Sequence, residues 1–246
     1  MKLTQSVEQK ILAHAAAVAP KECCGLLLMV GNKQVYQPCA NVAADPTAHF
    51  EIAADDWIQA EETGTVVAVV HSHPQGEHFL SGADRQMQLQ QGLPWLLVVE
   101  SGIRTFRPCP HLRGRVFDYG VNDCFTLIRD AYHLAGITFR DHPRTDIDAD
   151  AAADSFVRYL PDGGFKQVSD GSLQVGDVVL TAMGGHANHA MLYLGNQEIL
   201  HHAYDQLSRR ERYGAFWQDH THSVWRHQEW QPEMLAAIEA DLLHSH

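Results

Sequence analysis

His71 and His73 stand one residue apart at the end of an apolar, β-branched run, Thr65 to Val70, with Pro74 after them. A strand alternates its side chains between two faces, so these two imidazoles project the same way. Two imidazoles on one face can grip a single Zn2+, which needs a third protein ligand and, in a catalytic site, keeps a fourth position for water. Asp84, in Ser81-Gly-Ala-Asp84 at a helix start, is the candidate third ligand. Zinc acidifies its bound water toward neutral pKa, so that it can attack a carbonyl. Glu22, just before Cys23-Cys24-Gly25, is the candidate general base. Each part has a plainer reading. Ser81-x-x-Asp84 is also a helix-capping arrangement, and a His-x-His pair arises easily by chance in a chain with 17 histidines. The ordered composite, with seven residues between His73 and Ser81, is more specific than any part alone.

A second group of residues points to nucleophilic catalysis. Asn122-Asp123-Cys124 opens a helical pattern that runs to Leu134, with Asp123 as its N-cap. A cysteine in the first helical turn sits at the positive end of the dipole, which favours thiolate. Such a nucleophile needs a histidine base and a third group that orients the base. His189 lies on a strand, and the return strand ends at His201-His202. Pairing parity leaves the third residue open: a two-residue loop puts position 202 on the face of His189, and an odd loop puts position 201 there. A cysteine early in an apolar helix is more often a small packed hydrophobe, and Cys23, Cys24, Cys39 and Cys109 are read that way.

Glu22, His71-Ser-His73-Pro74 and Ser81-x-x-Asp84 together resemble the JAMM (MPN-plus) metallopeptidases over residues 1 to about 108. The resemblance implies an α/β sandwich in which His71, His73 and Asp84 bind one Zn2+. It also implies that Glu22 is the acid/base, that Ser81 steadies the oxyanion, and that an amide or isopeptide bond is cut. Asp123-Cys124 at a helix start, Gly176-Asp177-Val-Val-Leu180, and His189-x-x-x-Tyr193-x-Gly195 resemble the NlpC/P60 cysteine peptidases over about 112 to 230. That likeness implies a papain-like α+β domain and hydrolysis of peptidoglycan stem peptides by Cys124 and His189. The family's third residue lies twelve beyond its histidine, which favours His201, and Tyr119 matches a substrate-binding tyrosine. The stretch from Cys124 to His189 is longer than the family's, and the doubled histidine departs from its usual single one. The order of the two domains, expected at 1–108 and 109–246, is similar to that of lambda-like bacteriophage tail-tip proteins. Phage tail-tip proteins are then the implied partners, and local cell-wall cleavage, tail-tip assembly or both the implied role. Two alternatives stand beside it: an assembly factor with vestigial sites, and a cellular isopeptidase acting on small protein modifiers.

The elements that must position these residues are legible in outline. Leu3, Val7, Ile11, Ala15 and Val18 recur at helical spacing, with Thr4 available as N-cap and Pro20 as a stop. A hairpin follows, Cys23 to Val30 and Gln34 to Tyr36, turning at Gly31-Asn32. Helices are expected at 54–62 and 81–91, and a strand at 96–99. The segment 107–115, with two prolines, a glycine and three arginines, reads as a linker or extended crossing. Beyond the 123–134 helix, an irregular polar stretch is expected at 140–154, strands at 177–181, 190–194 and 199–202, and a final helix at 233–243. Alternating helices and strands in the first half indicate an α/β or α+β unit, and a helix followed by strands in the second suggests α+β, an α+β chain of two domains in all.

Composition narrows the function. The chain has 246 residues, 45% apolar and 20% charged, enough for one or two real cores. A net charge of −12 argues against nucleic acid and against an anionic membrane surface. No apolar run is long enough to span a bilayer, and the first segment carries Glu8, Lys10 and His14, unlike a signal peptide. Synthesis in the host cytoplasm is expected, followed by a place in the virion tail. The five cysteines lack paired spacing and are expected to be thiols.

Overall fold

The computed structural model describes residues 1–74 and 76–244. The chain divides into two compact units, Met1–Cys109 and Pro110–His246, each with its own sheet and helices in a mixed α+β arrangement.

The first unit runs α1 (Gln5–Val18), β1 (Cys24–Val30), β2 (Lys33–Cys39), α2 (Ala54–Thr63), β3 (Thr65–Ser72), α3 (Gly82–Gln91), β4 (Trp95–Val99), β5 (Gly102–Phe106). Its sheet has the order β2-β1-β3-β4-β5, and only β3 and β4 are parallel. The apolar stripe of α1, Val7, Ile11 and Ala15, packs with Leu27, Ala68, Val70 and Leu96 on one face. The alternate residues, Cys24, Leu26, Val69 and Leu97, face a second cluster with Ala60 of α2 and Leu80. The sheet is thus covered on both faces, which explains its continuous apolar strands. Thr4 holds the N-cap position of α1 without a side-chain cap bond. Strand β5, absent from the sequence expectation, pairs with β4 from Trp95↔Phe106 to Val99↔Gly102.

The second unit runs α4 (Cys124–Leu134), α5 (Ile147–Ala152), α6 (Ser155–Tyr159), β6 (Phe165–Gln167), β7 (Val178–Ala182), β8 (Ala187–Gly195), β9 (Glu198–His201), β10 (Arg209–Arg212), α7 (Ala215–Asp219), β11 (Thr221–His227), α8 (Leu235–His244). Its antiparallel sheet has the order β10-β9-β8-β7-β11-β6, with α4 against β8 and β9. The irregular stretch expected at 140–154 instead contains α5. Its N-cap Asp146 accepts from the amides of Asp148 and Ala149 at 3.0 and 3.3 Å. Residues 110–115, read as linker, are fastened into this unit. Leu112 N donates to the buried carboxylate of Asp241 at 2.7 Å, and Arg115 pairs with buried Asp130 at 2.8 Å. The Gly176-Asp177 motif has a structural cause. Gly176 has φ of 89°, and a Cβ there would lie 2.0 Å from the Trp230 ring. Asp177 is buried and takes both arms of the Arg226 guanidinium, at 2.8 and 2.7 Å.

Candidate active sites

In the first unit, register brings distant residues together. β1 runs antiparallel to β3 with Cys24 opposite His71, so Glu22, two residues before Cys24, lies beside the end of β3. Ser72 bolts the junction, its Oγ accepting from Cys23 N at 2.8 Å. His71, fully buried, stacks on Phe50 and meets Trp95 edge-on. His73 follows on the same side, and its Nδ1 donates to the Glu77 carbonyl at 2.9 Å. That bond fixes the tautomer and leaves the Nε2 lone pair free. Nε2 of His71 and Nε2 of His73 are 3.2 Å apart, and Asp84 Oδ2 lies 3.5 and 3.4 Å from them. Donors about 2.0–2.1 Å from a tetrahedral zinc ion lie about 3.3 Å from one another, so this triangle fits such an ion. His71, His73 and Asp84 form the candidate metal-holding cluster among the described residues.

Electrostatics around the triangle favour a positive charge at its centre. Burial works against ionised Asp84, but the two histidines and Ser81 outweigh it and hold the carboxyl well below its usual range. Burial lowers the pKa of His71. It also works against protonation of His73, where Asp84, the Glu77 carbonyl and Glu22 prevail and raise the pKa. Glu22 Oε1 stands 3.9 Å from His73 Nε2, outside the triangle. Burial pushes its carboxyl up to about 7, opposed by His73 and aided by Asp84. The capping reading and the ligand reading of Ser81 and Asp84 coexist. Ser81 Oγ accepts from Asp84 N at 3.1 Å, while the Asp84 Oδ2 that faces the histidines accepts from Ser81 N at 2.8 Å.

In the second unit, Asp123 caps α4 by accepting from Thr126 N at 2.8 Å and is clamped by the Arg144 guanidinium at 3.1 Å through each oxygen. Cys124 thereby sits at the first turn. It lines a cavity of about 580 Å3 together with His189, Tyr119, His142, His202 and Trp217. The surroundings of Cys124 act against the thiolate that the helix dipole favours. Burial, with the adjacent Asp123 carboxylate, pushes the thiol up to about 12, against the opposing amides of Ala190 and Phe125 and the Arg144 charge. Burial and the charges of His201, His202 and Arg209 bring His189 down to about 3. Both shifts run toward neutral thiol and neutral imidazole. Tyr119 lines the cavity with its hydroxyl donated to Asp150 at 2.6 Å.

The structure brings His189 and His201 together, with Nε2 to Nδ1 at 3.1 Å. The β8–β9 turn is the two-residue Asn196-Gln197, both at positive φ, which by parity alone selects position 202. A bulge between Tyr193 and Gly195 inserts one residue, so Met191 pairs with His201 and the face switches. His202 also lines the cavity but has other partners: its Nε2 donates to the Gln206 carbonyl at 3.0 Å, and its ring meets Phe117. Sequence reasoning missed Glu211, whose Oε2 lies 3.1 Å from His201 Nε2, and Trp217, whose Nε1 donates to Glu211 Oε1 at 3.0 Å. The alternation Arg209-Arg-Glu-Arg212 was the available signal, since it places Arg209 and Glu211 on one face of a strand.

A family model described as prokaryotic homologs of the JAB domain matches residues 4–109, and the NlpC/P60 family model matches residues 114–226. The class is therefore a JAB-like unit followed by an NlpC/P60 unit, both from families of hydrolases. The chain is 47% identical over 193 residues to tail tip assembly protein K of Escherichia phage lambda, covering 78% of this chain and 97% of that protein. Over 236 residues it is 35% identical to the protein of the same name from Escherichia phage N15, covering 92% and 96%. A desampylase of Haloferax volcanii matches at 26% over 117 residues, 43% of this chain and 84% of that one. The chain belongs to the phage tail tip assembly protein K family. Among the described residues no helix is long and apolar enough to cross a membrane.

Proposed function

We propose that this protein acts at the phage tail tip as a hydrolase with two amide-cleaving sites. The second unit cleaves peptidoglycan stem peptides locally as DNA passes into the cell. The first cleaves an amide or isopeptide bond, processing a tail protein during assembly. Its partners are tail-tip proteins and cell-wall peptides, and it moves from the host cytoplasm, where it is made, into the tail. The observation that carries the reading is the cavity wall holding Cys124 and His189, with His189 bonded to His201 behind it.

Because both shifts run toward the neutral forms, His189 takes the Cys124 proton as the sulfur attacks the scissile carbonyl. It then gives that proton to the leaving amine, and water hydrolyses the thioester. His201 holds the His189 ring. Tyr119 and its Asp150 partner shape the cavity against the stem peptide. In the first unit His71, His73 and Asp84 would hold Zn2+, which when bound would bring a water near neutral pKa. Glu22, whose carboxyl pKa burial raises, would take a proton from the attacking water at Oε1 and give it to the leaving amine. The Ser81 hydroxyl, an acceptor in the helix cap, keeps its own proton to donate to the oxyanion.

Mass spectrometry of purified cell-wall peptides after incubation with wild type and Cys124→Ala tests the reading. Wild type should release cleaved stem peptides and the variant none. Equal product from both, or none from wild type, overturns it.

A further inference from the structure

The hydrogen bonds that begin at His189 continue beyond His201. Glu211 is on β10, whose Arg209 pairs directly with His201 of β9, and Glu211 lies two residues further along the same face. Its two oxygens take three donors. Trp217 Nε1 reaches Oε1 at 3.0 Å, while Arg209 Nε at 2.8 Å and His201 Nε2 at 3.1 Å reach Oε2. We propose that Glu211 is a positioning residue that sets the proton positions of both histidines and so aims the basic nitrogen of His189 into the cavity. The claim rests on the cysteine-peptidase reading of this unit.

The argument follows donors and acceptors. Trp217 Nε1 and Arg209 can only donate, so the group they face must accept. Those same bonds keep Glu211 ionised, its pKa lowered by Trp217, Arg209 and His201 despite burial. A carboxylate only accepts, so His201 must carry its proton on Nε2. Its Nδ1 then bears a lone pair and can only accept from His189 Nε2–H across 3.1 Å. That leaves His189 Nδ1 as the free base. Arg209 has a second effect. Burial lowers the pKa of His201 and the Arg209 charge adds to it, together outweighing Glu211, which disfavours an imidazolium that would repel protonation of His189. Trp217 closes the arrangement, its ring 5.6 Å from His189 and 4.9 Å from His201, and lines the cavity as well.

The test is nitrogen NMR of the full chain labelled in histidine, with His189 and His201 assigned from single substitutions. In wild type both rings should carry the proton on Nε2 and none on Nδ1. In Glu211→Ala the His201 signals should move to a mixture of tautomers and His189 should follow. A His201 ring protonated on Nδ1 in wild type overturns the proposal even if the variant does not fold, and so do tautomers unchanged in a folded Glu211→Ala. Stem-peptide cleavage is measured alongside; kcat should fall about tenfold or more in the variant with KM little changed, because a misplaced proton removes the base and not the pocket. Wild type with the expected tautomers and no cleavage would sink the peptidase reading and leave the role of Glu211 in proton placement standing.

Discussion

The two sites satisfy their polar atoms in opposite ways. In the first unit, two imidazole nitrogens and a carboxylate oxygen converge within 3.2–3.5 Å. A cluster of this kind turns its lone pairs toward one point, where a cation can accept them. In the second unit each group hands on to the next, from His189 through His201 and Glu211 to Trp217. That run of bonds closes among protein groups. The contrast separates a site whose donors could hold a cation from one whose side chains hold one another.

Crossing the two dependencies gives the largest expected effects. His73→Ala should weaken zinc binding at least about 100-fold and leave stem-peptide cleavage intact. Cys124→Ala should lower that cleavage about 1,000-fold or more with zinc content unchanged. Elemental analysis and peptide mass spectrometry on the same preparations read both. Loss of stem-peptide cleavage on treatment with a chelator would break the separation.

A second way to sharpen the comparison is to ask what each unit needs to fold. Residues 110–246 expressed alone should give a folded unit. A fragment from 116 loses Arg115, leaving Asp130 buried without that ion pair, and loses the Leu112 amide bound to Asp241. Asp130 keeps Arg129 at 3.2 Å, so the loss is that of one charge-assisted bond, about 1.5–3 kcal/mol, and the shorter fragment should melt lower. Equal melting temperatures for the two fragments would show that the 110–115 segment is dispensable.

How legible all this was follows from the same physics. Helix α1, the β1–β2 hairpin, β3 and the Asp123 cap of α4 carry their patterns locally, in apolar periodicity, turn residues and capping side chains. The missed strands are short or half-exposed: β6 has three residues, and β10 reads Arg-Arg-Glu-Arg, which is polar on both faces. Their pairing comes from neighbours already in the sheet rather than from their own pattern. The candidate residues of both sites were readable as types in order. The choice of His201 over His202 was not readable from parity, because a bulge leaves no mark in a hairpin's loop length. Glu211 went unseen because its role exists only across paired strands.

Acid should act on the second unit in a way that His142 reveals. This ring is buried among Phe125, Phe156 and Tyr159, and burial, with Arg144 adding, lowers its pKa from 6.5 to about 4 against Asp141, Asp123 and Asp150. Between about pH 6.5 and 4 the unfolded chain therefore binds a proton at His142 that the folded chain refuses. The stability this contributes is present above pH 6.5 and is lost as pH falls toward 4, about 3 kcal/mol in all. His142→Phe, which keeps the ring stacking, should gain on wild type by up to about that amount between pH 7.5 and 4.5 in denaturant titrations. A difference between the two proteins that does not change with pH would mean His142 is no source of acid sensitivity.

The smallest expected effect separates two roles held by one hydroxyl. Ser81 caps α3 by accepting from Asp84 N, and the same group is proposed to donate to the oxyanion. Ser81→Ala removes both, and the cap alone should cost about 1 kcal/mol, seen in denaturant titration of the first unit. Ser81→Asp keeps an acceptor for the Asp84 amide but places a carboxylate beside the Asp84 carboxylate, so it confounds charge with capping. Ser81→Asn restores the acceptor without that charge. Its side-chain oxygen meets Asp84 N as a serine hydroxyl does, and stability should return to within a few tenths of a kcal/mol of wild type. Asparagine carries its donors on the nitrogen and its acceptor on the oxygen, so the capping atom itself no longer has a proton to give. Stability recovered with amide cleavage still depressed assigns the hydroxyl proton to the reaction. Stability and cleavage recovered together would mean that Ser81 serves the site only by holding Asp84 and the first turn of α3 in place.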